Sequence, residues 1–66
     1  MGEIIKFYRI KRKYTQEELA ECLDLSVRQL QRIENGESIT KIKTLKKAIS
    51  ILKIEDKDII KMIKSC

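Results

Sequence analysis

Two helix-starting signals, eleven residues apart, constrain the fold of this chain more than any other feature. Glu18 follows Thr15 by three residues, and Gln29 follows Ser26 by three residues. In each pair the hydroxyl can accept a hydrogen bond from the third helical N–H, while the longer side chain reaches back to the hydroxyl residue's own N–H. The spacing leaves room for about two turns of helix and a sharp corner. It therefore predicts two short helices joined by a tight turn.

The apolar residues of this segment predict two helices that pack on one core. Helical spacing places four side chains on the inward side, namely Leu19, Leu23, Leu30 and Ile33. Leu25 is expected in the corner, and Ala20 where the helices cross. Arg28 and Arg32 lie four residues apart on the opposite face of the second helix. A short helix held by one face, with basic and amide groups on the other, suits the DNA major groove, which is about 12 Å wide.

Length and composition indicate one small helical domain that covers residues 1–66. Hydrophobic residues make up 42% of the chain and charged residues 38%, which is too apolar for disorder and too polar for a membrane protein. No apolar run exceeds two residues, so we expect no transmembrane helix, signal peptide or membrane partner. Proline is absent, and no strand-like alternation occurs. The fold class predicted is all-α.

The two cysteines indicate free thiols rather than a disulfide or a zinc site. Cys22 and Cys66 lie 44 positions apart, and the chain has no histidine. Zinc sites cluster thiolates or imidazoles, and small secreted disulfide domains usually carry more cysteines. We therefore expect reduced thiols in the cytoplasm, no metal and no cofactor. The alternative is a disulfide from Cys66 across a dimer.

The net charge of +5 is distributed unevenly along the chain. Residues 1–14 carry +4, residues 15–37 carry −4, residues 38–54 carry +5 and residues 55–66 carry zero. Positive charge thus flanks the helix pair, which fits phosphate contacts on both sides of a base-reading helix. The alternative is that the lysines at positions 41, 43, 46, 47 and 53 only keep one helix face hydrated.

Periodicity and capping signals predict five helices in all. They cover residues 3–12, 16–23, 27–35, 41–52 and 56–64. Gly36 is expected to end the third helix, because glycine takes the left-handed conformation that a helix end needs. Thr40 is expected to cap the fourth. The inward residues expected in the first and fourth helices are Ile4, Ile5 and Tyr8, and Ile42, Leu45, Ala48, Ile49 and Leu52.

The chain resembles a known family at these positions. Its residues follow the patterns I-x-x-x-R, T-Q-E-E-L-A, S-x-x-x-L-x-x-I-E-N-G and T-L-x-x-A-I-x-x-L between Ile5 and Leu52. These patterns are similar to the Cro/CI-type helix-turn-helix domain, also called the xenobiotic-response-element family, over about residues 3–60. The resemblance implies a compact, five-helix, lambda-repressor-like fold with the helix-turn-helix at residues 16–35.

The resemblance also implies which residues contact DNA. Base contacts are implied for Val27, Arg28, Gln31 and Arg32. Phosphate contacts are implied for Gln16, Ser26, Asn35, Ser38, Thr40, Lys41 and Lys43. Side-chain chemistry agrees for the arginines, since a guanidinium can donate two parallel bonds to guanine. Val27 offers apolar contact to a thymine methyl, and Gln31 can pair with adenine or bond a phosphate.

Arg9 and Glu34 have a structural role in the family that the chain resembles. There they form a partly buried ion pair that ties the first helix to the end of the third. Removing one partner of such a pair strands a charge and can cost several kcal/mol. We therefore expect Arg9 to orient the reading helix rather than to read DNA.

The chain departs from the family pattern at several positions. Asp24 stands where the corner usually holds glycine, and aspartate tolerates the left-handed region better than most residues. Thr40 stands where the loop usually holds proline, which predicts a more mobile loop. Phe7 and Ile10 lie on a side of the first helix that is usually polar. We expect them to pack against the fifth helix, and the alternative is a small exposed patch for a partner.

The fifth helix is expected to set the oligomeric state. This end of the chain has more apolar side chains than one small core requires, namely Ile54, Ile59, Ile60, Met62 and Ile63. We expect a homodimer that places two third helices about 34 Å apart on a pseudo-palindromic operator. The alternative is that the chain is the first domain of a longer regulator whose dimerisation surface lies elsewhere.

The function predicted is a transcriptional regulator that binds specific double-stranded DNA sequences, and specifically a repressor. The alternative is a protein-binding module, such as an antitoxin or coactivator, that uses the same fold. An enzyme is not expected, because the chain has neither histidine nor a phosphate-cradling glycine loop. Its carboxylates at positions 17, 18 and 21 are predicted to lie on a solvated helix face.

Overall fold

The computed structural model describes residues 2–38 and 40–64, and it contains five α-helices in that part of the chain. They are α1 (Gly2–Lys11), α2 (Gln16–Cys22), α3 (Val27–Glu34), α4 (Ile42–Leu52) and α5 (Asp56–Lys64). None of the described residues lies in a strand, and the all-α prediction is confirmed. Each predicted helix boundary lies within one residue of the observed one.

Both predicted capping boxes are present. Thr15 Oγ1 accepts from the N–H of Glu18 at 3.1 Å, and Glu18 Oε1 accepts from the N–H of Thr15 at 3.0 Å. Ser26 Oγ accepts from the N–H of Gln29 at 3.1 Å, and Gln29 Oε1 accepts from the N–H of Ser26 at 2.9 Å. The backbone and hydroxyl of Thr15 hold the pKa of the Glu18 carboxyl below its usual value. Local bonds therefore determine where α2 and α3 begin.

Helices α1 to α4 each end beside one residue in the left-handed backbone region. These residues, with their φ angles, are Lys13 (63°), Asp24 (57°), Gly36 (77°) and Lys53 (51°). The residue after each one donates its N–H to the carbonyl five residues earlier, in the pairs Tyr14–Arg9, Leu25–Ala20, Glu37–Arg32 and Ile54–Ile49. This is the Schellman arrangement, which satisfies carbonyls at the helix end. Asp24 therefore forms the corner between α2 and α3, as its tolerance of this conformation predicts.

One hydrophobic core joins the five helices. Its buried side chains are Ile5, Tyr8, Leu19, Ala20, Leu23, Leu30, Ile33, Ala48, Leu52, Ile54 and Met62. These include the four residues of the helix pair predicted to lie inward and Ala20, predicted at the helix crossing, and Leu25 packs partly against the core. The helix pair is therefore held to the core by its predicted apolar faces.

The start of α4 differs from the prediction at two residues. Ile42 is 69% exposed rather than inward, because it is the first residue of the helix and lies beyond the edge of the core. Thr40 does not cap α4, because the helix begins one residue later than predicted and its N-cap is Lys41, which makes no side-chain capping bond. The expected mobility of the preceding loop stays a prediction.

Two residues expected in a dimer contact lie in the core instead. Ile54 is 6% exposed and Met62 is 0% exposed, so both are already covered within one chain. Ile59 packs partly against the core, and Ile60 is 52% exposed. The side chain of Ile63 lies outside the described part of the chain. A domain of 66 residues has little apolar material, and it uses Ile54 and Met62 to close its own core.

Phe7 and Ile10 do not pack against the fifth helix, and that prediction is wrong. They are 61% and 58% exposed. The ring of Phe7 meets the neighbouring ring of Tyr8 edge-on, with 5.6 Å between centroids, and the ammonium of Lys11 lies 6.0 Å from the Phe7 centroid. Tyr8 takes the inward position on α1, so its neighbour Phe7 remains on the surface.

Polar bonds from α1 connect it to the end of α4 and the start of α5. The buried Tyr8 donates its phenolic hydrogen to Asp58. This bond raises the pKa of the phenol above 10.0, and burial raises it further. Arg12 donates from Nε to the Leu52 carbonyl at 2.9 Å and from Nη2 to the Lys53 carbonyl at 3.2 Å. Arg12 thus satisfies carbonyls that the end of α4 leaves free.

The first turn of α1 approaches the end of α3 so closely that a side chain would not fit. A Cβ atom placed on Gly2 would lie 2.1 Å from the carbonyl oxygen of Ile33 and 2.9 Å from that of Glu34. Both neighbours are backbone atoms, which cannot rotate away. Glycine is therefore required here for close approach between helices.

The described residues also show the state of one thiol, the apolar length of the helices and the spacing of possible metal ligands. Cys22 is an exposed free thiol, and Cys66 lies outside the described residues. No helix in the described ranges combines the length and apolar character needed to cross a membrane. Within the same ranges, no three His, Cys, Asp or Glu residues are placed to hold a metal ion. The cytoplasmic location stays a prediction.

Candidate nucleic-acid interface

Helix α3 divides its residues sharply between core and solvent. Leu30 is 0% exposed and Ile33 is 7% exposed. The opposite face, which we call the α3 outer face, carries the exposed residues Arg28, Gln31 and Arg32. Spacings of three and four residues place these three side chains next to one another. Val27, at the start of the helix, is half-buried against the core and offers only part of its surface.

The guanidinium groups of the α3 outer face have no acidic partner among residues 2–38 and 40–64. Neither Arg28 nor Arg32 forms an ion pair with a described carboxylate. Buried Glu34 pairs with Arg9, and Glu18 is bonded within its capping box. Asp24 pairs with Lys47 at 2.9 Å. Each free guanidinium keeps five N–H donors, two of which can meet guanine in parallel.

The start of α4 provides a second polar surface beside α3. A cavity of about 400 Å³ lies here, and it is lined by Leu23, Asp24, Leu25, Gln29, Ile33, Ser38, Thr40, Lys41, Lys43, Thr44 and Lys47. The first N–H groups of α4 receive no bond from the side chain of their N-cap residue, so this helix end keeps a partial positive charge. Exposed ammonium groups at Lys41 and Lys43 add to it. This surface can attract a phosphate.

Not every residue expected at a phosphate presents its side chain to solvent. Ser38 and Asn35 are exposed. Ser26 is also exposed, and because its oxygen accepts from Gln29, its O–H remains free to donate. The hydroxyl of Thr40, in contrast, is buried without a hydrogen-bond partner in the described structure. As placed, Thr40 cannot offer that hydroxyl to a phosphate.

A bidentate ion pair holds the inner end of α3. Arg9 Nε lies 2.7 Å from Glu34 Oε2, and Nη2 lies 3.4 Å from Oε1. A third bond runs from Nη1 to the carbonyl oxygen of Tyr14 at 3.1 Å. The Arg9 side chain is 12% exposed and that of Glu34 is 2% exposed, so solvent screens the pair weakly. The pair joins α1, α3 and the segment before α2, which matches the role implied by the resemblance.

Two glutamines extend this pair to the surface, and no sequence pattern indicates that they meet. Gln16 Nε2 donates to Glu34 Oε1 at 3.2 Å, and Gln31 Nε2 donates to Gln16 Oε1 at 3.2 Å. Gln16 and Gln31 are 15 positions apart on different helices, so no periodic pattern links them. Sequence reasoning assigned one to a phosphate and the other to a base, and it missed their contact.

The predicted DNA-contacting residues are therefore connected through α3. Gln16 touches Gln31 on the α3 outer face, and Ser26 caps the same helix. Gln29 of α3 lines one cavity with the two lysines at the start of α4.

Comparison with known proteins places the chain in a family. A family model described as helix-turn-helix matches residues 5–59 of this 66-residue chain, a span that includes α2, α3 and α4. No curated protein and no solved structure matched.

Proposed function

The chain belongs to the Cro/CI-type helix-turn-helix family, and we propose that it is a transcriptional repressor which occupies a specific double-stranded DNA operator. Membership makes it a DNA-binding domain of the transcription-regulator type, in a family that is not typically enzymatic. The observation that carries the finer proposal is the α3 outer face, where Arg28 and Arg32 are exposed and pair with none of the carboxylates that the structure describes. Repression then follows from occupancy, since a protein seated on an operator blocks other proteins from that site.

Binding begins with electrostatic capture of the phosphate backbone. Lys41 and Lys43, with the free N–H groups of α4, form one edge of the proposed contact. Gln16, Ser26 and Asn35 supply neutral donors along the two ends of the helix pair. These contacts set the position of the protein on the duplex and carry no sequence information.

Sequence is then read by α3 in the major groove. Arg28 and Arg32 each donate two bonds to the N7 and O6 atoms of guanine. Gln31 presents an amide to a neighbouring base, and the exposed part of Val27 contacts a thymine methyl. The two arginines, separated by one helical turn, contact bases that are neighbours along the groove.

A homodimer on a pseudo-palindromic operator is part of the proposal. One α3 contacts only a few base pairs, whereas two copies related by a two-fold axis read two half-sites about 34 Å apart. Because Ile54 and Met62 are buried, the contact between copies would use the exposed Ile60 and the accessible part of Ile59 on α5. These are the described apolar residues of α5 that remain available.

The alternative function, a protein-binding module, is favoured by one observation. Phe7 and Ile10 are large, exposed and three residues apart on α1. Lys11 lies close to the Phe7 ring, and Lys6 and Lys13 are also exposed in this part of the chain, which suits an acidic partner. If this surface were the working one, replacing Phe7 and Ile10 with serine would abolish activity in cells while leaving affinity for DNA unchanged.

The proposed function is tested by selecting binding sites from a random duplex pool and then measuring Arg28→Ala on the selected operator. We expect a symmetric motif, since a symmetric protein dimer requires one. Arg28→Ala should weaken operator binding by about 1–3 kcal/mol and flatten the preference at one base position. Lys57→Ala is the matched control, because it also removes one exposed positive charge but lies on α5.

Three results would count against parts of this proposal. A pool that yields no enriched motif would exclude sequence-specific binding. A motif without symmetry would exclude the dimer. Unchanged relative affinities for operator variants in Arg28→Ala would exclude Arg28 from base reading.

A further inference from the structure

A continuous set of hydrogen bonds runs from the core to the α3 outer face. Buried Glu34 accepts from Arg9 at 2.7 and 3.4 Å, and its Oε1 also accepts from Gln16 Nε2 at 3.2 Å. Gln16 Oε1 in turn accepts from Nε2 of the exposed Gln31 at 3.2 Å. We call the last three residues the Glu34–Gln16–Gln31 relay.

Donor and acceptor chemistry fixes the direction of every bond in the relay. A carboxylate paired with an arginine accepts and does not donate, so Gln16 must turn its NH2 group toward Glu34. The carbonyl oxygen of Gln16 then faces α3, where it too can only accept. Gln31 must therefore turn its own NH2 group toward Gln16. The buried Arg9–Glu34 ion pair thus determines the orientation of the exposed Gln31 amide.

This orientation changes what Gln31 can offer to a base. The last torsion of a free glutamine is broad and roughly two-fold, so a free amide presents either its oxygen or its NH2 group. In the relay one N–H of Gln31 is used by Gln16. The carbonyl oxygen and the second N–H remain for a ligand, and they lie side by side when Gln16 takes the N–H that points away from that oxygen.

Adenine and guanine differ at the atoms that this pair of groups would meet. The major-groove edge of adenine has an acceptor at N7 and a donor at N6, which complements one N–H beside one carbonyl oxygen. Guanine has acceptors at both N7 and O6. A free glutamine can turn its NH2 group to guanine, but a held one sets its oxygen against O6.

We propose that the Glu34–Gln16–Gln31 relay makes Gln31 select adenine over guanine, and that Gln16 is a positioning residue for base selection. The inference rests on the proposed function, because it requires α3 to lie in the major groove. It adds to Gln16 a task that is separate from any contact with a phosphate. It also couples base selection to the ion pair that holds α3.

The test compares two operators that carry adenine or guanine at the position whose preference Gln31→Ala alters. The wild-type chain should favour adenine by about 5-fold to 150-fold, the range for one good bidentate pair. Gln16→Leu removes both relay bonds, and it should reduce this ratio to below about 3-fold. Loss of a phosphate contact would weaken both operators equally, so the ratio isolates the orienting role.

A second variant should shift the preference toward guanine. The ammonium of lysine only donates, so in Gln16→Lys it can keep the bond to Glu34 while turning the oxygen of Gln31 inward. The NH2 group of Gln31 then faces the base, and the ratio should move toward guanine beyond that of Gln16→Leu. This variant keeps a donor to Glu34, so it also carries the test if Gln16→Leu fails to fold by circular dichroism.

Glu17→Gln is the matched control, because Glu17 is the next residue of α2 and is exposed. It removes a negative charge and should strengthen both operators equally, leaving the ratio unchanged. In the protein without DNA, the side-chain NH2 resonances of Gln31 should move in Gln16→Leu and stay in place in Glu17→Gln.

The possible results distinguish a failure of the inference from a failure of the proposed function. If specific operator binding is present and Gln16→Leu and Gln16→Lys both keep the wild-type ratio, the relay does not orient Gln31 and the inference is wrong. If the wild-type chain shows no sequence preference at all, the proposed function and the inference fail together.

Discussion

At the scale of single residues, hydrogen bonding sorts the four arginines of the chain into two kinds. Arg9 is bound to Glu34, and Arg12 donates to the last carbonyls of α4. Arg28 and Arg32 are exposed and form no ion pair within the described ranges. Some donors of Arg9 and Arg12 are already used inside the protein, whereas those of Arg28 and Arg32 make no bond to the described residues. We therefore assign the proposed base reading to Arg28 and Arg32.

Arg9→Met should leave the Glu34 carboxylate buried without its partner. We expect a loss of about 3–5 kcal/mol in the free energy of unfolding, the usual cost of stranding one buried charge. Urea unfolding followed by circular dichroism measures it. Arg28→Met is the matched control and should change stability by less than about 0.5 kcal/mol. A double variant, Arg9→Met with Glu34→Met, should recover most of the loss, and failure to recover would mean that the pair's charge is not what matters.

Tyr8 gives the fold a dependence on alkaline pH. The hydrogen bond to Asp58, and then burial, raise the pKa of the phenol above 10.0, so the folded state holds this proton more tightly than the unfolded state. The resulting stability is fully present below pH 10 and is lost as pH rises through the raised pKa. Tyr8→Phe removes this contribution.

Urea midpoints at neutral and alkaline pH measure this effect. The difference in midpoint between the wild-type chain and Tyr8→Phe should shrink as the pH passes 10. Tyr14→Phe, which removes the other phenol of the chain, should keep the Tyr8 effect intact. A constant difference across the pH range would show that the proton of Tyr8 contributes nothing.

At the scale of elements, short helices depend on their ends. Helix α2 has 7 residues and α3 has 8, fewer than an isolated helix needs to be stable in water. Capping boxes at their starts, Schellman bonds at their ends and one packed face together hold them. The starts are visible in the sequence as T-x-x-E and S-x-x-Q. The left-handed lysines that follow α1 and α4 are not visible, because lysine has no preference for that conformation.

Ser26→Ala should weaken α3 at its start. It removes the acceptor for the N–H of Gln29, and we expect a loss of about 1 kcal/mol in the free energy of unfolding, measured in urea. Ser50→Ala is the matched control, since Ser50 is exposed inside α4, where alanine is the better helix former. Equal effects of the two substitutions would mean that the capping box contributes nothing to stability.

At the scale of the whole molecule, the core is small and the positive charge is concentrated in a few segments of the chain. Residues 38–54 carry +5, and the lysines at the start of α4 share a cavity with Gln29 and Ile33 of α3. The core uses Ile54 and Met62, which leaves Ile60 and part of Ile59 as the accessible apolar residues among the described side chains of α5. The positive charge of residues 38–54 suits a phosphate backbone.

Affinity for the operator should depend steeply on salt. With roughly six to ten phosphate contacts in the complex, affinity should fall by about 10³-fold to 10⁵-fold between about 50 and 200 mM salt. Fluorescence anisotropy of a labelled operator measures the slope, and Lys43→Ala should reduce it by about one. Lys57→Ala, on α5, should leave it nearly unchanged. A slope near zero would favour the protein-binding alternative.

Short-range patterns along the chain were enough to predict the helices, most of the core and the family. Helix starts depend on groups within three residues of each other, and inward faces repeat every three or four residues, so both are encoded locally. The exposure of Arg28 and Arg32 followed from the same periodicity, because Leu30 and Ile33 occupy the inward side of α3.

How distant segments pack against one another is apparent only in the folded chain. Tyr8 meets Asp58 across 50 positions, which leaves Phe7 on the surface. Met62 enters the core instead of a dimer contact, and Gln16 meets Gln31 between two helices. Each outcome depends on which of several apolar or polar side chains occupies a given site in the folded chain. Local pattern cannot rank them, because their competitors lie far away along the chain.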